Sequence, residues 1–438
     1  MSQVVFLSLF LGLVTGIQSV DLRVDANVHM VRIELAGREV GRLTGAPWSA
    51  KVDFGSELIP RELIAIAYDA KGKEIARASQ LTNLSPPPAQ LEIVIRSESK
   101  RPVDAELVGR HRIHKRPEEA TLFVDGAPVR MGRDFRARLP NLDWAHTHVL
   151  SAEMRFEDGL VARRELVIEG RFSGSAGSEL APVLVSMNGR QSESLEGCFS
   201  AGDILLRASA IEKTNALVIM VKDPDSRDLI ARLRLDANRA DLKLDPGAAE
   251  RILWPIARPF NSPGEPVAIA FPQSIDRGAS EGSSSRGVPT IPWLLTLGLS
   301  PRPTANEPRQ FADAVAVAGM NARERGQRRV VVLLLSRKPD QSLYAAATVR
   351  RYLEEVGVPL VVWSGEGPRP DLAGTWGEID DVSTAAGLAA AVARLNQQLS
   401  QQRIVWLAAD PLTALQAKAA ERCGLTPVAR HRSLVPAM

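Results

Sequence analysis

The second half of the chain alternates short apolar runs with segments of helical spacing, and this alternation restricts the fold more than any other feature. The apolar runs are typical of strands covered on both faces: ALVIMV (216–221), PVAIAF (266–271), RVVVLLL (329–335), VPLVVW (358–363) and RIVWLA (403–408). The helical segments are GAAERILWPIARPF (247–260), QFADAVAVAGMNARERGQ (310–327), SLYAAATVRRYLEEVG (342–357), STAAGLAAAVARLNQQLSQQ (383–402) and PLTALQAKAAERCG (411–424). Strands and helices in this order predict an α/β domain with a doubly wound, mainly parallel sheet over residues 216–438.

The residues before this domain have the alternation and the glycine turns of short β-strands. IELAGREV (33–40) and LFVDGAPV (122–129) share apolar alternation around a glycine, and each is followed by a second strand that ends at a glycine. The repeated pattern predicts two small Ig-like β-sandwich domains, over residues 20–88 and 89–172. A β-rich lead-in, residues 180–215, follows them.

The N-terminal run VVFLSLFLGLVTGI (4–17) carries no charge and is too short to cross a bilayer. It predicts a signal peptide over residues 1–19, with no transmembrane span after its removal; a first buried strand is the alternative. We therefore expect an extracytoplasmic protein, in the periplasm, on the cell surface or secreted. Cys198 and Cys423 either form a disulfide or remain as two buried thiols.

Composition excludes several functional classes. Lys and Arg number 54 against 51 Asp and Glu, a net charge of +3, which argues against a nucleic-acid-coating protein. The densest basic stretch (Arg110, Arg112, Lys115, Arg116) has no interleaved aromatic residues, so no nucleic-acid partner is expected. Four histidines (His111, His114, His146, His148) could bind zinc or copper if their loops met, but the surrounding cations favour a solvated loop. No nucleophile elbow, phosphate loop or dinucleotide fingerprint occurs.

The order of elements in the last domain resembles the von Willebrand factor A domain. A strand ends in Asp-Pro-Asp-Ser-Arg-Asp (223–228), and the helix FADAVAVA (311–318), the strand VVVLLLS (330–336) and GVPLVVWSG (357–365) follow in turn. The resemblance covers residues 216–408, and bacterial secreted proteins that place such a domain after β-rich modules are the most similar. It implies a magnesium site built from Asp-x-Ser-x-Ser after the first strand, a Thr, and an Asp after the fourth strand.

This chain departs from the metal-binding pattern of that family. Asp223 matches, but Asp225 and Arg227 take the two serine positions, and Ser336 stands at or beside the second Asp. The Thr position falls near Arg309, with Thr304 as a substitute if the loop is longer. A guanidinium adds positive charge and no lone pair, so the site is predicted to be degenerate.

The residues of this predicted rim could still bind a partner. The predicted binding residues are Asp223, Asp225, Ser226, Thr304 and Ser336. No metal or cofactor is required, and weak Mg²⁺ or Ca²⁺ binding by Asp223, Asp225 and Ser226 is left open. The alternative interpretation of Asp-Pro-Asp-Ser is a capping turn.

Three functions follow from this sequence. The favoured one is a secreted or periplasmic, non-enzymatic scaffold that binds an unidentified protein through the degenerate domain. The second is metal-dependent adhesion through Asp223, Asp225 and Ser226. The third is a hydrolase at the carboxyl ends of the strands, which requires a base such as His431 beside Ser336.

Overall fold

The computed structural model describes residues 4–8, 10, 12–84, 89–98, 101–111, 115–140, 148–168, 175–187, 195–202, 204–233, 240–244, 248–259, 270–277, 291–296, 308–323, 326–408 and 423–428. Thr304 and His431, the histidines His114 and His146, and most of the predicted closing helix 411–424 lie outside these residues. The described chain forms three parts, which we call the first β unit, the second β unit and the α/β unit, and a small sheet that joins the last two.

The first β unit is a sandwich of two antiparallel sheets. Its strands are β1 (Val4–Phe6), β2 (Ile17–Val24), β3 (Met30–Leu35), β4 (Arg38–Leu43), β5 (Ser49–Asp53), β6 (Arg61–Tyr68) and β7 (Glu74–Thr82). One sheet has the order β1-β2-β5 and the other β4-β3-β6-β7. Alternating side chains of both sheets, Val20 and Val52 from one and Ile33 and Leu63 from the other, share one core, as strand periodicity requires.

The second β unit repeats this design. Its strands are β8 (Ala89–Glu98), β9 (Arg101–His111), β10 (Pro117–Val124), β11 (Ala127–Val129), β12 (Arg136–Arg138), β13 (His148–Phe156) and β14 (Val161–Ile168). The hairpin turns Ala36–Gly37 and Asp125–Gly126 correspond, since all four residues have positive φ angles. Such turns match the twist of the flanking strands, which explains why glycine recurs at this position. The predicted pair of Ig-like β-sandwiches is confirmed as a fold, while their limits at 20–88 and 89–172 remain predictions.

A four-stranded antiparallel group, which we call the base, connects the second β unit to the α/β unit. It contains β15 (Ser175–Met187) and β18 (Ala208–Glu212) from the chain before the α/β unit, and β25 (Gln402–Ala408) and β26 (Leu425–Pro427) from the chain after it. The hairpin β16 (Phe199–Ala201) and β17 (Ile204–Leu206) lies between β15 and β18 in the sequence. β14 pairs with β15, and β15 pairs with β25, so one sheet runs from the second β unit into the base.

The α/β unit contains a mainly parallel, six-stranded sheet. Its strands are β19 (Ala216–Lys222), β20 (Ala248–Pro259), β21 (Ala270–Arg277), β22 (Arg328–Leu335), β23 (Leu360–Ser364) and β24 (Ile379–Asp381). Its helices are α1 (Asp228–Leu233), α2 (Ile291–Thr296), α3 (Phe311–Arg323), α4 (Ala346–Glu355), α5 (Pro370–Trp376) and α6 (Ala385–Gln401). The strand order is β21-β20-β19-β22-β23-β24, and only the edge strand β21 is antiparallel to its neighbour. Helices α3 and α4 pack on one face, and α2 and α6 on the other.

Two predictions of secondary structure need correction. Residues 247–260 are predicted to be helical, but residues 248–259 form strand β20 between β19 and β21. Pro255 explains the error, because a proline inside a helix removes a hydrogen bond and clashes with the preceding turn. The run RIVWLA is a strand, β25, but it pairs antiparallel with β15 and β18 outside the parallel sheet. An apolar run indicates burial on both faces and does not identify the neighbouring strands.

The N-terminal run of the sequence contributes to the first β unit. Val4 and Phe6 lie in β1, which pairs with β2, and together with Val14 they are buried in the core of this unit. This arrangement matches the alternative of a first buried strand, and the signal peptide at 1–19 remains a prediction. Among the described residues, none of the helices combines the length and the apolarity needed to cross a bilayer.

The first β unit also packs directly against the α/β unit. Leu58 and Leu84 join the apolar cluster that contains α3 and α4. The hydroxyl of Tyr352 donates a hydrogen bond of 3.0 Å to the carbonyl oxygen of Asn83. The side chain of Asn83 accepts from the Val14 amide at 2.6 Å and donates to the carbonyls of Val14 and Ile59. Asn83 therefore connects the N-terminal segment, the first β unit and α4.

When the full chain is unfolded in urea, replacing Asn83 by Ala is expected to lower the free energy of the first unfolding transition by roughly 2–4 kcal/mol. The change leaves the buried backbone groups of Val14 and Ile59 without partners, and alanine adopts this positive φ angle less readily than asparagine. Urea unfolding of the full chain measures the effect. Asn83→Gly is the matched control, because glycine accepts the backbone conformation but lacks the amide. A loss with Ala and none with Gly would assign the effect to the backbone and contradict the hydrogen-bond account.

Candidate functional site

The candidate site lies where the strand order of the parallel sheet reverses. Starting from β19, the chain adds β20 and β21 on one side and then returns to add β22 on the other. The loops that follow β19 and β22 leave the sheet in opposite directions and open a crevice at the carboxyl ends of the strands, which is the usual ligand position in open α/β sheets. The structure brings Asp223, Asp225, Ser226 and Ser336 together there.

The centre of the site is a buried ion pair between Asp223 and Arg309. The Nε atom of Arg309 donates to Oδ2 of Asp223 at 2.8 Å, and both side chains are almost fully buried, with exposures of 2% and 0%. The Nη2 atom of Arg309 also lies 3.6 Å from Oδ2 of Asp225. A buried carboxylate must be neutralised or hydrogen-bonded, and here the guanidinium does both.

The rest of the Asp223 carboxylate is held by its own loop and by Ser336. The amide of Asp225 donates to Oδ1 at 3.0 Å, and the Ser336 hydroxyl donates to Oδ2 at 3.2 Å. The Ser226 amide donates to the Asp223 carbonyl at 2.9 Å, and residues Pro224–Arg227 form a 3-10 turn. The capping-turn interpretation of Asp-Pro-Asp-Ser is thus realised within the predicted rim.

Arg309 is positioned by the start of α3 and by the loop after β22. The carbonyl of Arg309 accepts from the Gln341 amide at 2.7 Å. The Asp340 carboxylate accepts from the amides of Phe311 at 2.9 Å and Ala312 at 3.2 Å, so it caps the first turn of α3. The loop that carries Ser336 therefore also fixes the helix that presents Arg309.

A cleft of about 360 Å³ opens above this pair. Its lining includes the apolar side chains of Leu229 and Leu334, both almost fully buried. Also in the lining, Glu366 pairs with Arg232 of α1 at 3.0 Å and with Arg337 at 2.9 Å. Charged groups of both signs therefore line the cleft. Glu366 and Arg337 belong to loops, and the sequence pattern gave no signal for these pairs.

Lys222, the residue before Asp223, is a second functional group that the sequence analysis missed. Its ammonium donates to the Leu295 carbonyl at 2.9 Å, and its side chain is fully buried. Burial lowers the pKa of Lys222 to about 7, partly opposed by the neighbouring Asp223 carboxylate. A lysine that ends an otherwise apolar strand, as in ALVIMVK, was the available signal.

The described histidines do not converge on a metal site. His111 pairs with Asp158 at 3.2 Å, and His148 pairs with Asp125 at 2.7 Å, at opposite ends of β13. Hydrogen bonding by the Val149 amide, followed by His148, lowers the pKa of Asp125. Within the described ranges, His, Cys, Asp and Glu side chains form no group of three or more that could hold a metal ion.

Comparison with known proteins matches parts of this chain to solved structures at low identity. No family model and no curated protein matches the chain. The fibronectin(III)-like modules of Clostridium thermocellum CbhA match 38% of this chain and 94% of their own, at 13% identity and a TM-score of 0.16. The central fibronectin-III array of RIM-binding protein matches 44% and 82%, at 8% identity and a TM-score of 0.21. The Bacteroides ovatus protein SGBP-B, solved with a mixed-linkage heptasaccharide, matches 45% and 58%, at 16% identity and a TM-score of 0.14.

The Arg309→Met substitution is expected to lower the free energy of unfolding of the α/β unit by about 3–5 kcal/mol, because it leaves Asp223 as a buried, uncompensated charge. The double variant Asp223→Asn/Arg309→Met should recover most of this loss, since both charges are then absent. Urea unfolding of the two single variants and the double variant gives the coupling energy. Additive losses would contradict a direct pair.

Proposed function

We propose that this chain is an extracytoplasmic, non-enzymatic scaffold that binds a protein partner through a von Willebrand factor A-like domain working without a metal ion. The observation that carries the proposal is the contact of 2.8 Å between Arg309 Nε and Asp223 Oδ2. In the family pattern, the oxygen of a threonine and the carboxylate of this aspartate would face the same cation. Here a buried guanidinium takes that place and supplies the positive charge from within the chain.

The strand order supports the assignment of the domain. Counted along the chain, the six strands lie in the order three, two, one, four, five, six, which places the rim between the first and the fourth strand. Two elements differ from those on which the resemblance was based, since residues 248–259 form β20 and β25 lies outside the parallel sheet. The Asp-Pro-Asp-Ser loop follows the first strand, and Ser336 follows the fourth.

The electrostatics of the rim support a metal-independent site. A divalent cation beside Asp223 would have to displace Arg309, whose guanidinium has no lone pair to offer as a ligand. It would also experience repulsion from that fixed positive charge in a poorly solvated position. The Ser336 hydroxyl and the Asp225 amide also donate to the Asp223 carboxylate, so a cation would compete with these donors as well.

The surface around the cleft supports a protein partner. Arg337 and Asp225 are 79% and 65% exposed, and both line the cleft. Exposed charges of both signs can orient a protein partner and select against partners of the wrong charge pattern. The disulfide between Cys198 and Cys423 supports an oxidising, extracytoplasmic location.

A hydrolase receives less support from the site. The Ser336 hydroxyl donates to Asp223, whose carboxylate is shared with Arg309. The described histidines, His29, His111 and His148, belong to the two β units. An activated serine needs an adjacent base, and the described residues around Ser336 include no histidine.

Titration calorimetry of the full chain with Mg²⁺ and with Ca²⁺ is expected to give no stoichiometric heat. The variant Asp225→Ser/Arg227→Ser/Arg309→Thr, which restores the hydroxyl ligands of the family pattern, should acquire measurable Mg²⁺ binding. Circular dichroism of the variant controls for its folding. A tight, stoichiometric heat with the unmodified chain would show that the metal-independent account is wrong.

Capture of a partner from extracytoplasmic extract by the immobilised full chain is expected to persist in EDTA. Arg337→Glu should reduce the captured amount at least about tenfold, a change of about 1.4 kcal/mol, because it reverses an exposed charge at the border of the cleft. Arg42→Glu is the matched control, since Arg42 is also an exposed arginine paired with a glutamate, but in the first β unit. Equal effects of both variants, or loss of capture in EDTA, would contradict the proposal.

A further inference from the structure

The α/β unit is inserted into the base rather than appended to it. The chain enters the α/β unit after β15 and β18, and it returns through β25 and β26, which pair with those same strands. Cys198 follows β15, and Cys423 precedes β26. Their disulfide spans 225 positions with a Cα–Cα distance of 5.9 Å, so it encloses the parallel sheet and the rim residues Asp223, Arg309 and Ser336.

Strand pairing alone would resist tension along the chain poorly at this point. β26 is antiparallel to β15, with Val185 opposite Pro427 and Met187 opposite Leu425, and the Val428 amide bonds to the Leu184 carbonyl at 3.0 Å. Tension enters β15 from the second β unit and leaves β26 at Val428, which is the same end of the pair. Tension at one end of such a pair acts on one hydrogen bond at a time, so the bonds break in sequence from that end at low force.

The next pair of strands has the same weakness. β25 is antiparallel to β15, with Leu180 opposite Ala408 and Ser186 opposite Gln402. Tension that reached Ala408 would open this pair from its outer end and then pull on α6, which immediately precedes β25. The core of the α/β unit would unfold next, because Leu388, Leu395 and Leu399 of α6 are part of it.

We infer that the Cys198–Cys423 disulfide carries tension past the α/β unit and so prevents the opening of β25 and the unfolding of α6. We call this disulfide the tension clasp. After the three residue pairs of β26 open, tension reaches Cys423 and crosses the covalent bond to Cys198. From there it passes back along β15, an extended strand that transmits force with little change in length. Residues 199–422 carry no tension along the chain, and the α/β unit keeps its shape under load. The redox state of this one bond therefore decides whether the α/β unit is mechanically protected. This inference rests on chain connectivity and does not depend on the proposed function.

Force spectroscopy of the full chain, with handles at both termini, tests the clasp. In the oxidised protein, the length released by unfolding is expected to exclude the enclosed segment. Adding dithiothreitol to the same molecule should release about 74–81 nm more, which is the extended length of the 225 enclosed positions at about 3.3–3.6 Å each. Because β26 and β25 open from their ends, this release should begin at a lower force than the unfolding of either β unit.

The double variant Cys198→Ala/Cys423→Ala is the matched control, and it should show the additional release without reductant. If that variant does not fold, reduction of the unmodified molecule in the trap still gives the comparison. If unfolding of the oxidised chain also released the length of the enclosed segment, the inference that the disulfide acts as a tension clasp would be wrong. Release only after both β units have unfolded in dithiothreitol would overturn the opening order on which the inference depends.

Discussion

The Asp223–Arg309 ion pair is the interaction on which the candidate site depends. The negative charge of Asp223, a buried carboxylate directly after β19, has to be compensated. The guanidinium of Arg309, two residues before α3, compensates it. Ser336 adds a hydrogen bond from the end of β22, so the pair connects the two strands on either side of the crevice. A metal ion in this position would join the same loops by coordination. Under the proposed function the connecting charge belongs to the chain itself, so the rim is expected to keep one shape whatever the metal concentration.

The surrounding units hold this rim in a defined orientation. Tyr352 and Asn83 connect α4 to the first β unit, and the sheet that runs through β14, β15 and β25 connects the α/β unit to the second. At the latter junction Arg163 pairs with Glu153 at 2.8 Å and Glu212 at 2.6 Å, and its guanidinium lies 4.7 Å from the ring centre of Trp406. These contacts join strands from three parts of the chain. The α/β unit is therefore braced from two sides, and the disulfide closes its base.

The local sequence pattern predicted which segments are helices or strands better than it predicted which strands pair with each other. Helical spacing correctly indicated α3, α4 and α6, and apolar runs correctly indicated β19, β22 and β23, because periodicity records burial directly. The pattern predicted a helix where β20 lies, despite Pro255. It also placed β25 in the parallel sheet, because a strand covered on both faces is compatible with that sheet and with the base. At the site, spacing placed Arg309 near the threonine position. Glu366 and Arg232 were not found, since their meeting depends on loop conformations and carries no periodic signal.

The central claim is that a guanidinium stands where the von Willebrand factor A pattern, which the sequence resembles, would place a cation, and diffraction tests it directly. Crystals of the full chain grown with Mn²⁺ would be measured for anomalous scattering at the rim. The account predicts electron density for Arg309 against Asp223 and no anomalous peak between them. An ordered Mn²⁺ ion coordinated by an Asp223 oxygen, with Arg309 displaced, would contradict it.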